Sequence, residues 1–330
     1  MKVEGNHTSI SLIDGLGDKY HRKNLALKVF KAYVSLDVKI ENVRWSNENN
    51  GFRENLMECT KIQNLLSFQG LSPRVYGLEF AMDSDRKFPA QVTDFIPEGE
   101  GEDVTQKVLD YCEQVGIKAH DIGGGANIKN GLFTDFQEFE FTDEYEKGLR
   151  DRIAKGLAYA GTTNRSYQSV EELGIIGERI NSEREKLLQI PEGLPKNFSV
   201  LDFGCNGAYF MRKAFDAGAS YGVGVDVPRV NKASQELNNY LGYFNIDFMD
   251  KVPDMKFDLV LLLSAFSYAN VDEIFPKAKV ALIEGHCFNG QHTEEHYREM
   301  LEKYYSKVTT LGWTQDDPDL PPRVVMKGER

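Results

Sequence analysis

The sequence predicts an α/β chain in which a mostly parallel sheet fills the second half and a smaller α+β domain precedes it. Short apolar runs recur along the second half with helical stretches between them, as in buried parallel strands. These runs lie within residues 200–210, 222–226, 257–270 and 279–288. The first eighty residues instead alternate between short strand-like stretches around one helical stripe at residues 52–70, which Gly70 stops.

The composition limits the possible functions. The 330 residues are enough for two domains, each with its own core. A formal charge of −12 argues against a broad interface with nucleic acid phosphates. No apolar run approaches the about 20 residues that span a bilayer, and the four cysteines are scattered without metal-ligand spacing. We therefore expect a cytoplasmic protein without a membrane span or a metal site, and the oligomeric state stays open.

The stretch VLDFGCNGAYF at residues 200–210 predicts a strand, a tight turn and a helix. Gly204 and Gly207 enclose the turn, and such small residues let the backbone approach a ligand closely. A second apolar strand follows about 20 residues later and ends at the carboxylate of Asp226, which can bind both hydroxyls of a ribose. The pattern indicates a site for a ligand that contains adenosine.

This arrangement resembles the nucleoside-binding half of the class I S-adenosylmethionine-dependent methyltransferases, in the variant that reads D-x-G-C-N. The resemblance implies an α/β fold with a Rossmann-like, seven-stranded methyltransferase sheet, and S-adenosyl-L-methionine as cofactor. It also implies cofactor contacts from the turn, from the next two strand ends and from the lip after the fourth strand: Asp202, Gly204, Cys205, Asn206, Asp226, Asp247, Phe248 and Ser264. The alternative, a Rossmann-like domain without a cofactor, poorly explains why three of these aspartates fall at predicted strand ends.

Residues 147–198 resemble a segment that precedes the turn in some methyltransferases and folds over the cofactor. The shared pattern is Tyr-x-Ser, then Gly-x-Arg, then a second arginine. The resemblance implies that Tyr167 and Arg179 contact the methionine end of the cofactor, where a guanidinium can pair with the carboxylate. The alternative is a solvated helix face that carries Arg179 and Arg184.

The predicted fifth strand ends in Glu284, Gly285 and His286. This ending, with Arg323 near the last strand, resembles methyltransferases that modify glycans and tRNA wobble bases. Histidine suits a base near neutral pH, and a hydroxyl acceptor must lose a proton as it takes the methyl group. We therefore expect catalytic roles for His286, Glu284 and Tyr268, the last of which follows the fourth strand. The alternative is that Glu284 and His286 merely satisfy each other and a loop.

Residues 1–146 resemble, in reduced form, the protein-kinase and small-molecule phosphotransferase fold. A strand lysine, a helix with glutamates, two strands and a hinge precede H-D, a later asparagine and D-F. The resemblance implies a site for ATP and Mg²⁺. Its phosphate-binding lysine is Lys28, the helix partner is Glu58 or alternatively Glu54, the base is Asp121, and the metal ligands are Asn127 and Asp135. The loop spacings depart from the family and most of the second lobe is missing, so we expect binding rather than phosphoryl transfer.

The sequence thus predicts a reduced kinase-like domain at 1–146, a helical linker that covers the cofactor at 147–198, and a methyltransferase domain at 199–330. The combination resembles kinase–methyltransferases of surface glycan synthesis. That resemblance implies a small-molecule or glycan acceptor, methylated on an oxygen of a sugar or phosphosugar. Three alternatives stay open: a bifunctional kinase–methyltransferase, an RNA-modifying methyltransferase, and a ligand-binding protein without turnover.

Overall fold

The computed structural model describes most of the chain: residues 2–4, 8–12, 19–30, 44–46, 53–83, 86–97, 99–120, 122, 127–136, 139–158, 166–179, 181–287, 292–315 and 321–330. The fold divides into two compact units, Met1–Leu149 with Asn239–Asn245, and Arg150–Asn238 with Ile246–Arg330. The domain limits predicted at residues 146 and 198 stay predictions. Within the described residues, no helix is both long and apolar enough to cross a membrane.

The first unit is an α+β domain. Its strands are β1 (Lys2–Glu4), β2 (Thr8–Leu12), β3 (Leu25–Phe30), β4 (Arg44–Ser46), β5 (Arg53–Asn55), β6 (Val75–Asp83), β7 (Arg86–Asp94), β8 (Ile117–Ala119), β9 (Ile128–Lys129), β10 (Leu132–Phe133) and β11 (Phe139–Phe141). The helices are α1 (Leu56–Ser67), α2 (Thr105–Val115) and α3 (Asp143–Gly156), the last of which continues into the second unit. Five strands form an antiparallel sheet in the order β1-β2-β3-β7-β6.

The helical stripe predicted at residues 52–70 is confirmed as α1. Its buried face carries Leu56, Cys59, Ile62, Leu65 and Leu66 at the three- and four-residue spacing of an amphipathic helix. Beyond the helix end, Gly70 adopts a φ of 71°, which a residue with a side chain rarely adopts. Local sequence therefore sets both the buried face and the end of this helix.

The second unit contains a short, mostly irregular segment and then a large sheet. Its helices are α4 (Asn181–Glu185), α5 (Tyr209–Asp216), α6 (Pro228–Tyr240), α7 (Val271–Ile274) and α8 (Glu294–Glu302), with 3-10 turns at Glu171–Leu173, Phe266–Tyr268 and Phe275–Lys277. Its strands are β12 (Ser199–Phe203), β13 (Tyr221–Val225), β14 (Ile246–Met249), β15 (Phe257–Leu263), β16 (Ala278–His286), β17 (Lys307–Thr314) and β18 (Arg323–Glu329).

The sheet of the second unit has the order β14-β13-β12-β15-β16-β18-β17. The strands from β12 to β16 are parallel, and β18 runs antiparallel to both of its neighbours. The predicted Rossmann-like, seven-stranded sheet is thus confirmed. Parallel strands are covered on both faces, which explains their continuous apolar sequences. The core of this sheet includes Leu201, Val223, Val260, Leu262, Ala281 and Ile283.

The first strand of this sheet marks the place where a ligand is expected. β12 pairs with β13 on one side and with β15 on the other. The chain continues from β12 to β13 and from β15 to β16, so the connections from these two neighbouring carboxyl ends run in opposite directions. In open α/β sheets, ligands bind in the crevice at such a switch point. The turn after β12 therefore occupies the expected binding position.

We expect Gly285→Ala to destabilise the second unit. A Cβ at Gly285 would lie 2.4 Å from Tyr297 Cζ, and the Tyr297 hydroxyl is held by a 2.9 Å hydrogen bond to His286 O. Such overpacking costs about 1–3 kcal/mol of unfolding free energy, which the midpoint of urea unfolding measures. Tyr297→Leu in the Gly285→Ala background should recover part of the loss. An unchanged midpoint in Gly285→Ala would contradict this packing.

Candidate functional site

The turn after β12 places backbone atoms that no large side chain covers at the switch point. Gly204 has a φ of 74°, and its N–H donates to Val225 O at 2.8 Å, which ties the turn to the end of β13. A Cβ at this position would lie 2.6 Å from Ala265 Cβ, so a glycine is needed for space as well as for conformation. Asn206 and Ala208 continue the turn with φ values of 46° and 59°.

Asp226, directly after β13, closes the turn from the other side. Its carboxylate accepts hydrogen bonds from Asn206 N at 3.0 Å and from Val227 N at 2.8 Å. Burial raises the pKa of Asp226, although these two backbone donors oppose the shift. Asn231, on α6, donates to both Asp226 O and Met249 O at 2.7 Å and so holds the ends of β13 and β14 together.

Two buried side chains in this region receive no hydrogen bond from the part of the chain that the structure describes. The Asp202 side chain is 3% exposed, and the described residues supply no hydrogen bond to its carboxylate. Burial and the nearby Asp226 raise the pKa of Asp202 to about 7, although Arg184 acts in the opposite direction. Asn206 Oδ1 is also buried without a hydrogen-bond partner among the described residues. Buried acceptors without donors are costly, so both indicate a ligand that supplies N–H or O–H groups.

These acceptors fit the cofactor that the sequence implies. S-adenosylmethionine carries an ammonium group and two ribose hydroxyls, all of which are hydrogen-bond donors. Asp202 and Asn206 can accept from such donors, and the Asp226 carboxylate can accept further hydrogen bonds. Phe248 and Cys205 lie on one face of the sheet, because a Cβ at Gly224 would be 2.8 Å from both Phe248 Cδ1 and Cys205 Sγ. An aromatic face and a sulfur beside the turn suit a flat, apolar base.

The prediction that Asp247 ends its strand is wrong. Asp247 is the second residue of β14, pairs in register with Val223 and accepts a hydrogen bond from Tyr221 O–H at 3.0 Å. The strand continues to Met249, whose carbonyl accepts from Asp226 N at 3.2 Å. The next residue, Asp250, therefore lies level with Asp226 at the carboxyl edge. The sequence gives no clear sign of this, because the apolar residues Phe248 and Met249 follow Asp247 without a turn residue between them.

Glu284 is a buried anion with all its bonding capacity used. Its side chain is 0% exposed and accepts from Arg184 Nε at 3.1 Å and Arg184 Nη2 at 2.6 Å. Thr314 Oγ1 donates to the same carboxylate at 2.6 Å, and Ser264 Oγ donates as well. Although burial opposes it, the charge of Arg184 and these hydrogen bonds hold the pKa of Glu284 far below its usual range. The contacts of Glu284 are those of a fixed anion, and the catalytic role expected for it stays a prediction.

The arginines that precede the turn are buried rather than solvated. Arg184 is 1% exposed, donates to Asn181 Oδ1 at 3.1 Å and lies 5.0 Å from the Phe210 ring centre. Arg179 Nη1 donates to Tyr167 O–H at 2.8 Å, and its Nη2 lies 3.9 Å from Glu284 Oε2. The structure thus brings Tyr167 and Arg179 beside Glu284. Their contact with the methionine end of the cofactor stays a prediction.

Burial and Arg323 both act on His286, whose role as a general base stays a prediction. Arg323 Nε donates to His286 Nδ1 at 3.1 Å, which assigns the ring proton of the neutral imidazole to Nε2. Burial and the charge of Arg323 lower the pKa of His286 to about 4. Nε2 then carries the proton, and the lowered pKa makes the ring a weak base. Tyr268, on the turn after β15, is 76% exposed and so can contact an acceptor.

In the first unit, part of the predicted nucleotide site comes together. Lys28 Nζ donates to Thr134 O at 2.8 Å, and Asp135 is close enough to influence the pKa of Lys28. Burial lowers this pKa. Asp135 Oδ1 is buried and has no hydrogen-bond partner within the described chain. Asn127 is tied to the same segment, because its carbonyl accepts from Thr134 N at 2.8 Å and from Thr134 Oγ1 at 3.0 Å.

The predicted ion pair between Lys28 and Glu58 does not form. Glu58 Oε1 accepts from Phe141 N at 2.8 Å instead, so this helix carboxylate satisfies the backbone of β11. Glu58 is not among the groups that contact Lys28 or influence its pKa. The candidate base, Asp121, lies outside the described residues.

Sequence reasoning missed three contributors to the second-unit site: Arg184 as the partner of Glu284, Thr314, and Asp250. The first two come from segments far from Glu284 in the chain, at separations of 100 and 30 residues. The sequence does contain one signal for Arg184, the second arginine of the pattern that includes Arg179. The signal for Asp250 is its place at the end of an apolar run.

We expect Asp202→Asn to separate stability from cofactor binding. Because burial keeps the folded-state pKa near 7, above the unfolded value of about 3.8, the ligand-free protein loses stability as pH rises between these values. Asparagine removes that loss, so the variant should unfold at an equal or higher temperature than the wild type at pH 8. It should nonetheless bind S-adenosylmethionine at least about tenfold more weakly, because the ammonium loses its anionic partner. Thermal unfolding from pH 4 to 8 and calorimetric titration test both parts, and wild-type affinity would contradict the role of Asp202.

No family model and no curated protein matches the chain. Among solved structures, it is similar to the bifunctional kinase-methyltransferase WbdD, with 18% identity over 49% of this chain and 43% of that chain and a TM-score of 0.41. It is also similar to magnesium protoporphyrin IX methyltransferase (ChlM) from Synechocystis PCC 6803 with bound SAH, with 16% identity, coverage of 57% and 97% and a TM-score of 0.37. The match covers less than half of the WbdD chain, and the fold assignment rests on the strand order of this chain itself.

Proposed function

We propose that this protein is a methyltransferase that uses S-adenosyl-L-methionine. The observation that carries the proposal is the pair of acceptors beside Asp226 at the switch point, Asp202 and Asn206 Oδ1, which receive no hydrogen bond from the described residues. A domain without a cofactor would leave both unsatisfied. The ligand-binding alternative shares this site and differs only in the absence of turnover.

Each residue of the site would contact a different part of the cofactor. When bound, the cofactor supplies an electrophilic methyl carbon on a sulfonium. Asp226 would hold the ribose hydroxyls and Asp202 the ammonium, while Phe248 would pack on the base near Asp250. Arg179 would hold the carboxylate. The main contribution of this chain is to fix the donor in line with an acceptor, because positioning supplies most of the rate in such a transfer.

For the acceptor, we propose an oxygen on a sugar or phosphosugar, with the phosphosugar favoured. A neutral hydroxyl needs a base near neutral pH. Among the three residues predicted to be catalytic, Glu284 is held ionised by Arg184, His286 has a pKa lowered to about 4, and Tyr268 is an exposed phenol. Neither Glu284 nor His286 is therefore a strong base at pH 7. An acceptor oxygen that is already ionised requires no base, which favours a phosphate-bearing sugar over an uncharged one.

A direct test compares acceptor classes in one assay. Formation of S-adenosylhomocysteine is measured with mannose, mannose phosphates and a total tRNA preparation as separate acceptors. The proposal expects release with a sugar phosphate that greatly exceeds release with the matching free sugar. Release only with tRNA would favour the RNA-modifying alternative. Tight binding of S-adenosylmethionine without release for any acceptor would favour a ligand-binding protein.

The first unit is proposed to bind a nucleotide or the acceptor without phosphoryl transfer. The specific observation is the buried Asp135 Oδ1, which has no partner in the described chain, together with the buried Lys28 nearby. A metal-bound phosphate group would satisfy both. The lost pairing of Lys28 with Glu58 argues against a fully assembled kinase site, since active kinases need a lysine–glutamate pair.

Asp226→Ala should weaken S-adenosylmethionine binding by about ten- to a hundredfold, because the ribose hydroxyls lose a charged acceptor. Isothermal titration calorimetry measures the change in Kd. Asp254→Ala is the matched control, since Asp254 is an exposed carboxylate before β15 and away from the carboxyl edge. The control should bind like the wild type. Equal affinity in the folded Asp226→Ala variant would remove Asp226 from the site.

Methyl transfer should survive Asp121→Asn with little change in turnover, and the wild type should release no detectable ADP from ATP. The reason is that the reduced domain lacks most of the lobe that seats an acceptor in line with the γ-phosphate. The measurements are S-adenosylhomocysteine release and a coupled ADP assay, with mannose as the hydroxyl acceptor in the latter. A phosphorylated product that disappears in Asp121→Asn would make the protein a bifunctional kinase–methyltransferase.

A further inference from the structure

Glu284 is connected to the cofactor turn by a short chain of contacts. Ser264 directly follows β15 and bonds Glu284 twice: Ser264 N donates to Glu284 O at 2.8 Å, and Ser264 Oγ donates to the Glu284 carboxylate. The next residue, Ala265, presses its Cβ against Gly204, where an added Cβ would lie only 2.6 Å away. The path therefore runs from Glu284 through Ser264 and Ala265 to Gly204.

Ser264 needs this support because of its backbone conformation. Its φ is 62°, in the left-handed region that favours glycine and costs a residue with a side chain. Such a conformation persists only where neighbouring groups hold it. The two bonds from Ser264 to Glu284 supply this constraint, and the ionised carboxylate is itself fixed by Arg184 and Thr314.

We propose that Glu284 is a positioning residue for the cofactor, which fixes the Ser264–Ala265 turn against Gly204 and so sets the width of the crevice beside β12. This inference rests on the proposed function, since the crevice is the one assigned to S-adenosylmethionine. Glu284 acts through Ser264 and touches neither the cofactor nor the acceptor. The E-G-H strand end thus contributes a fixed anion rather than a proton-transfer group.

Two hydroxyls on the Glu284 carboxylate offer a matched comparison. Ser264→Ala and Thr314→Val each delete one hydroxyl donor, but Ser264 faces the cofactor turn whereas Thr314 lies on β17. We expect both variants to lower the unfolding midpoint by similar amounts. Ser264→Ala should raise the Kd for S-adenosylmethionine about tenfold, and Thr314→Val should leave it within about twofold.

A double-variant cycle tests whether Glu284 acts through Ser264. Glu284→Gln leaves Arg184 as a buried charge without its partner and can prevent folding, so the cycle uses Glu284→Asp, which keeps the charge but shortens the side chain. If Glu284 acts through Ser264, the double variant should bind S-adenosylmethionine no more weakly than the weaker single variant. Independent roles would give effects that multiply.

The outcomes are distinguishable in calorimetry with S-adenosylmethionine on the full chain. Equal Kd changes in Ser264→Ala and Thr314→Val, or multiplied effects in the double variant, would overturn the positioning role. A tenfold effect confined to Ser264→Ala, with a double variant that is no weaker, supports it. Failure of the proposed function would look different, because the wild-type protein itself would then not bind S-adenosylmethionine. Failure of the positioning role would show only in the comparison between variants.

Discussion

The buried ion pair between Arg184 and Glu284 is the interaction on which the site in the second unit depends. Removing two charges from water is expensive, and attraction repays it only when every remaining lone pair and proton has a partner. Here the Glu284 carboxylate accepts hydrogen bonds from Arg184, Ser264 and Thr314, and Arg184 also donates to Asn181. One anion thereby joins the ends of β15, β16 and β17 to α4. Such a network is stable only in one arrangement, which suits a site that works by geometry.

Much of the second unit could be predicted because its signals are local. Apolar runs mark the parallel strands, and the small residues from Gly204 to Gly207 mark the turn after the first of them. The position of Asp226 follows from the strand that precedes it. These features depend on residues within one strand and its adjoining turn, so a single sequence is sufficient to find them.

The features that could not be predicted depend on residues that are distant in the chain. Whether Glu284 is an acid, a base or a fixed anion is decided by Arg184, which lies 100 residues before it. The protonation of His286 depends in the same way on Arg323, 37 residues later. Glu58 shows the same effect in the first unit. Its carboxylate accepts a hydrogen bond from Phe141 N, whereas the sequence predicted a pair with Lys28. The prediction for Asp247 was wrong for a different reason, because the end of β14 lies within an apolar stretch and was placed too early in the sequence.

Gly224 has a consequence for how this protein could be redesigned. It has no side chain, so the space above it is occupied by the Phe248 ring and by Cys205 Sγ. Replacing Phe248 with alanine would open a cavity without moving the strand beneath it. Under the proposed function, that cavity adjoins the adenine, and a cofactor analogue with a bulky substituent on its base would fill it. Such an analogue would then bind this variant in preference to proteins whose sites keep the larger side chain.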